Sequence, residues 1–374
     1  MISNSISLDS QALEQYYFDK FKDDLFSGKD ILYINNMLYL TKGNPHRSEG
    51  VLLRDKYLEE QVKNWIQERI GFHNIINRYK YYDQRLDDLS WPKHYAIRFI
   101  NVTGCLAEGK NIFMFFPEAI GNINSGEISD YFGFEFIDSW GSIFDEIILP
   151  CMRATFNLES QIKIFSLIKP RLDQIVYLAS IFHEIGHRVG FWKISPCIDS
   201  RIKINSFYKD ILGELSTDII LINFLHEYPE VMIFIFLQRL FWFGRFGFKL
   251  DHYHGDLNKD NDAWIGSYLW NKYIESKCIT FDENLLMSVN LENLKNIYSC
   301  ILSELDHLGN LLSKNAYDKQ DLLISKWMEE NVPIKNNKFV FFDTLKFIYS
   351  KCLQIPEKQS YKFFDKTVIQ RCAN

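Results

Sequence analysis

The chain has 374 residues, enough to bury a core without disulfide or metal staples. An apolar fraction of 47% and a charged fraction of 24% are those of an ordinary globular protein and exclude a chain dominated by disorder. A net charge of -6, with no block of five or more lysines and arginines, lacks the electrostatic footprint of a nucleic-acid binder.

The opening stretch MISNSISLDSQALEQYYF has no basic segment followed by an apolar one, so no secretory signal is expected. The cysteines (Cys105, Cys151, Cys197, Cys278, Cys300, Cys352 and Cys372) are odd in number and scattered, and no CxxC pair occurs. That pattern argues against a disulfide framework or a thiolate zinc site and fits a reducing compartment. The expectation is a cytoplasmic protein; export by a signal-less route, as bacterial effectors use, is compatible with it.

Along the first 165 residues the pattern is mixed. LEEQVKNWIQERIGFHNIINRYKYY reads as helix, whereas NIFMFFPE and YFGFEFID are short apolar and aromatic runs, bounded by Gly, Pro and Asp, that suggest strands. The strand near NIFMFFPE could offer an edge to an extended peptide. From about Pro170 the pattern turns helical, with helices expected at 171–190, 208–226, 229–246, 261–277, 291–314 and 319–330 and breaks at FWKISPCIDS and DHYHGDLNKDND. No repeat or low-complexity tract interrupts it. The fold expected is α+β: a mixed lobe with a small sheet over 1–165, a mainly helical lobe over 166–374, and a zincin-like metal site between them. Val231 to Leu250 has the length and apolar content of a membrane span, but Gln238, Arg239 and Arg245 interrupt it. The cost of arginine at mid-bilayer favours a buried central helix.

The stretch YLASIFHEIGHRVGFWK, Tyr177 to Lys193, carries the chemistry. Pro170 suits a first helical turn, and Leu172, Ile175, Val176 and Ala179 follow at helical spacing. His183 and His187 continue that stripe, so both imidazoles turn inward, one turn apart, within reach of a single ion. Glu184 projects about 100° away from His183, beside such an ion, where a general base for the attacking water belongs.

In ILGELSTDIILINFL, Ile211 to Leu225, Glu214 and Asp218 share one face of an otherwise apolar helix. Buried carboxylates need partners. Either Glu214 completes a His-His-Glu ligand set while Asp218 holds the far nitrogen of His183 or His187, or both pair with arginines or lysines.

HEIGH followed by a helix with ExxxD resembles the gluzincin, thermolysin-like branch of the HExxH zinc metallopeptidases, and ELSTDI is similar in character to that family's EAISDI-type segment. The resemblance covers residues 177–221. It implies His183, His187 and Glu214 as zinc ligands, Glu184 as catalytic base and Asp218 as the orienting acid. The 26 residues between His187 and Glu214 exceed the family's usual loop. Gly190 also matches the start of HExxHxxG, the metzincin pattern, but Lys193 stands where that pattern requires a third histidine.

Donors to a developing oxyanion are sought among His252, His254, Tyr268, Arg245 and Tyr208, with His254 preferred because a loop histidine can swing toward the ion. Asp256, Asn258, Asp260 and Asp262 hint at calcium, but an EF-hand would need glycine where Asn261 sits and glutamate where Ser267 sits. Three functions remain: a zinc hydrolase acting on a peptide or small molecule; a non-haem Fe(II) oxygenase modifying a peptide or natural product through the same triad; and a non-catalytic metal-binding or assembly protein.

Overall fold

Leu32 and Ile34 are buried while their chain neighbours Ile31 and Tyr33 are 48% and 64% exposed, the period of two of a strand with one face on a core. The structure, a computed structural model, describes residues 20–21, 23–41, 44–82, 91–104, 107, 113–115, 132–193, 201–245, 248, 254–256, 261–336 and 338–356. Strand β1 (Ile31–Thr41) pairs antiparallel with β2 (Asn44–Arg54), and β2 with β3 (Lys93–Gly104). Parallel to β3 runs β5 (Phe132–Phe136), whose far edge carries the antiparallel β4 (Phe113–Phe115), giving the order β1-β2-β3-β5-β4.

One sheet face packs Leu32, Ile34, Leu52, Ile97, Phe99, Phe134 and Phe136 around Phe21 and Leu25. By alternation His94, Ala96 and Glu135 face the other way, toward the helices. Ala96 there joins the main apolar core.

The expected helix over residues 58–82 is two, α1 (Lys56–Arg69) and α2 (Phe72–Tyr79), parted at Gly71 with φ +81, a conformation that favours glycine. Asp55 caps α1 by accepting from the Leu58 N–H at 2.9 Å. The strand expected at YFGFEFID ends at Phe136. Ile137 opens α3 (Ile137–Ile143), which runs through a π turn at Phe144–Ile148 into α4 (Leu149–Thr155), and α5 (Leu158–Ile168) follows.

Helices α6 (Leu172–Gly186), α7 (Ser206–Phe224), α8 (Pro229–Gln238), α9 (Asn261–Glu275), α10 (Leu291–Ser313) and α11 (Tyr317–Asn331) occupy the six expected positions; α12 (Asp343–Lys351) was not anticipated. α6 and α8 are buried on nearly every side, the mark of core helices, and the core around them extends from Leu58 in α1 to Cys352 beyond α12. No helix among the described residues is long and apolar enough to cross a membrane. The expected helix 229–246 leaves α geometry at a π turn, Arg239–Phe243, closed by the Gly244 N–H donating to the Arg239 carbonyl at 2.9 Å. Short strands complete the fold: β6 (His254–Asp256), the hairpin β7 (Ile279–Phe281) and β8 (Met287–Val289), and β9 (Ile334–Lys335) with β10 (Lys338–Val340), which pairs with β6.

Candidate metal centre

The stripe read along α6 faces a cavity of about 310 Å³. Val176, Ala179, Ser180, His183, Glu184 and His187 line it from α6, Glu214 and Asp218 from α7, Glu135 from β5 and Trp140 from α3. Two helices supply the acidic and imidazole groups because they cross very closely. A Cβ added at Gly186 would lie 2.9 Å from Thr217 Cγ2, closer than side chains tolerate, and 3.3 Å from Thr217 Cα, a tight contact. Glycine at this position of HEIGH therefore sets the α6–α7 distance. Glu214 and Asp218, flanking Thr217 on α7, are thereby brought up to the histidines.

His183 Nε2 is 3.5 Å from Glu214 Oε2, and His187 Nε2 is 3.5 Å from Glu214 Oε1. The far nitrogens are tied behind: His183 Nδ1 donates to Asp218 Oδ1 at 2.9 Å, and His187 Nδ1 lies 3.1 Å from Thr217 Oγ1. One ligand atom from each of His183, His187 and Glu214 can be chosen so that all lie within 4.8 Å of one another. Tetrahedral coordination with bonds of about 2.0–2.1 Å separates ligand atoms by about 3.3 Å. The donor set and its spacing fit a divalent ion such as zinc, with both Nε2 atoms aimed inward and both Nδ1 atoms engaged.

The buried groups set one another's charge. Burial opposes a charge on His183, but Asp218 and Glu214 outweigh it and hold its pKa well above the ordinary value. Burial dominates at His187 and lowers its pKa to about 4, leaving a neutral ring. Burial would raise Glu214, yet His187, His183 and Arg239 keep it ionised and well below the usual carboxylate range. Glu184, buried beside the triad, is pushed by desolvation up to about 7, matched to proton transfer near neutrality. Glu135, on β5, rises through burial to about 8 and accepts from Trp140 Nε1 at 2.7 Å. Ser180, next on the wall, contacts His94 Nε2 at 2.8 Å.

The carboxylates of α7 meet both a histidine and an arginine. Asp218 holds His183 and also accepts from Arg239 Nε at 2.5 Å, while Arg239 NH2 reaches Glu214 Oε2 at 3.4 Å and NH1 donates to Asp262 Oδ1 at 2.6 Å. Neither Arg239 nor Glu135 was assigned to the site from sequence. For Asp262 the calcium reading gives way to this ion pair. Asp256 lies in β6, and Asn258 and Asp260 lie outside the described residues.

Three of the oxyanion donors sought in the sequence are placed elsewhere. Arg245 is buried and donates to the carbonyls of Phe241, Cys352, Ile355 and Pro356, because a guanidinium inside the core must satisfy its donors and finds acceptors one turn back and just beyond the end of α12. Tyr268 stacks on Trp264, and Tyr208 meets Ser325 Oγ at 3.3 Å. His252 lies outside the described residues, as does the side chain of His254, whose backbone pairs with Val340. Gln238 and Asn261, which no local motif marks, also line the cavity.

No protein-family model matches the chain, and no curated protein matches it. Among the solved structures that share its fold are two peptidases. DPP III from Caldithrix abyssi superposes with a TM-score of 0.56 at 11% identity over 88% of this chain and 58% of that one. Dipeptidyl-peptidase III from Corallococcus sp. strain EGB gives 0.53 at 10% identity over 87% and 56%. The chain thus spans a little over half the length of the structures it resembles, and the likeness is one of fold.

Proposed function

We propose that this protein is a metal-dependent peptidase of gluzincin type, with zinc held by His183, His187 and Glu214. The observation that carries the proposal is the place of Glu184, a carboxylate buried on the wall of the cavity that the triad lines. A structural metal site has no use for such a group, whereas hydrolysis requires a base beside the attacking water. The fold shared with two proteins named dipeptidyl-peptidase III supports a peptide substrate.

A bound divalent ion supplies Lewis acidity and makes water acidic enough to ionise near neutral pH. Glu184 then accepts the proton of the attacking water and passes it to the departing amine. Asp218 fixes the His183 ring through Nδ1. For the developing oxyanion the proposal offers the amides of Gln238 and Asn261 on the wall, and His254 of β6.

The test is elemental analysis of the purified protein, followed by a peptide library cleaved by wild type and Glu184→Gln. About one zinc per chain, with cleavage lost by a factor of about 10²–10⁴ in the variant while zinc is retained, is the expected result. One iron per chain with oxygen uptake, or metal bound with equal cleavage by the variant, overturns the proposal.

A further inference from the structure

Arg239 stands where an arginine has least reason to be, 2% exposed in a run whose neighbours Leu237, Leu240 and Phe241 are all buried. Its position is set by backbone. Its carbonyl closes the π turn, and the glycine that donates to it, Gly244, packs directly on Gly266 of α9: a Cβ on Gly266 would fall 2.5 Å from Gly244 Cα and 3.1 Å from the Arg239 carbonyl oxygen. Two glycines therefore let α9 close on the turn and deliver Asp262 to one arm of the guanidinium. Its other arms meet Asp218 and Glu214 on α7.

We propose that Arg239 is a positioning residue for the metal ligands, an inference that rests on the triad reading above. It touches ligand Glu214 directly and, through Asp218, fixes the ring of ligand His183. A guanidinium presents its donors in a rigid planar fork, so one side chain can hold three carboxylates in fixed relative directions, which a lysine cannot do. Anchored on Asp262, it locks the acidic face of α7 against the histidine face of α6.

The sign of the effect separates this role from two others. A cation beside a dication site opposes binding, so if Arg239 acted by charge alone its removal would tighten the metal. If it served folding alone, its removal would lower stability and leave the affinity of the folded protein unchanged. Positioning requires weaker binding with altered ligand geometry.

The experiment uses the full chain, stripped and titrated with Zn²⁺ against a chromophoric chelator, with Co²⁺ as a spectroscopic probe, in wild type, Arg239→Lys, Arg239→Met and Asp262→Asn. Thermal unfolding of each metal-free protein reports folding. We expect a loss of Zn²⁺ affinity of about 10- to 100-fold in Arg239→Lys, as for other groups that orient metal ligands, together with a shift of the Co²⁺ visible bands. Asp262→Asn, which keeps the arginine and removes its anchor, moves both readouts the same way by less. Because losing an anion weakens Zn²⁺ by charge alone, the Co²⁺ band shift is the readout that decides the matter if the Arg239 variants do not fold, an unchanged spectrum overturning the inference. Affinity equal to or tighter than wild type with an unchanged Co²⁺ spectrum overturns the inference. A wild type that binds neither ion overturns the metal reading itself, and this inference with it.

Discussion

Glu135 should make this protein lose stability as pH rises, and neutralising it should restore what is lost. The residue is 3% exposed, and burial raises its pKa from 4.5 to about 8. Below pH 4.5 both folded and unfolded chains carry the proton. Between 4.5 and about 8 the unfolded chain releases it while the folded one keeps it, so stability falls across that window and levels off above it. A shift of that size corresponds to about 4–5 kcal/mol at pH 8 and above. Glu135→Gln keeps an oxygen to accept from Trp140 and has nothing to ionise. Denaturant unfolding of the metal-free proteins at pH 5 and pH 8.5 measures the difference: near zero at the lower pH, the variant more stable by a few kcal/mol at the higher. An equal difference at both pH values would refute the reasoning, because it would mean that Glu135 is ionised in the folded state throughout.

Three further predictions test other parts of the structure. Gly186→Ala forces a methyl into Thr217 and should cost about 1–3 kcal/mol while also weakening zinc, read by unfolding and by metal titration on the folded fraction. His94, buried with its pKa lowered to about 3, stays neutral where the unfolded chain protonates. Stability should therefore fall as pH drops from about 6.5 toward 3, and His94→Gln should flatten that limb of the stability curve. Arg98 is hydrogen-bonded to Asp55, Asp138 and Asp173, so Arg98→Met strands three carboxylates and should destabilise by about 3 kcal/mol; Tm at neutral pH reads it, and an unchanged Tm would mean solvent screens the cluster.

The helical back of the molecule was legible because α6 to α11 carry their periodicity and their breaks locally. The front was less so, and β1 shows why. Its outward residues Ile31 and Tyr33 are as apolar as its inward Leu32 and Ile34, so the alternation that marks a half-buried strand is written in burial and not in polarity. The split of residues 58–82 had a visible cause in Gly71, but a glycine inside a helical pattern is often tolerated, and only its positive φ distinguishes a break. The helices between Ile137 and Ile168 follow directly on an aromatic strand, and a π turn at Phe144–Ile148 breaks the helical period of the first stretch.

The site divides along the same line between local and long-range information. His183, Glu184 and His187 are fixed by spacing within one turn, and Glu214 and Asp218 by spacing within another, so a ligand set could be written down before any fold was known. Arg239 has no such spacing, since it lies 21 residues beyond Asp218 and on another helix. A signal for it nonetheless existed. Two carboxylates stood on an apolar face of α7 with no cation one helical turn away on that face, and a cation stood in an apolar run of the next helix with no carboxylate one turn away. Each anomaly alone is costly to bury, and together they cancel. Pairing unexplained buried charges of opposite sign between adjacent helices would have made Arg239 a candidate partner of Glu214 and Asp218, though Arg245 in the same run would have been another. Glu135 would still have escaped, because its compensation is a proton and the hydrogen bond from Trp140, and neither leaves a charge to match.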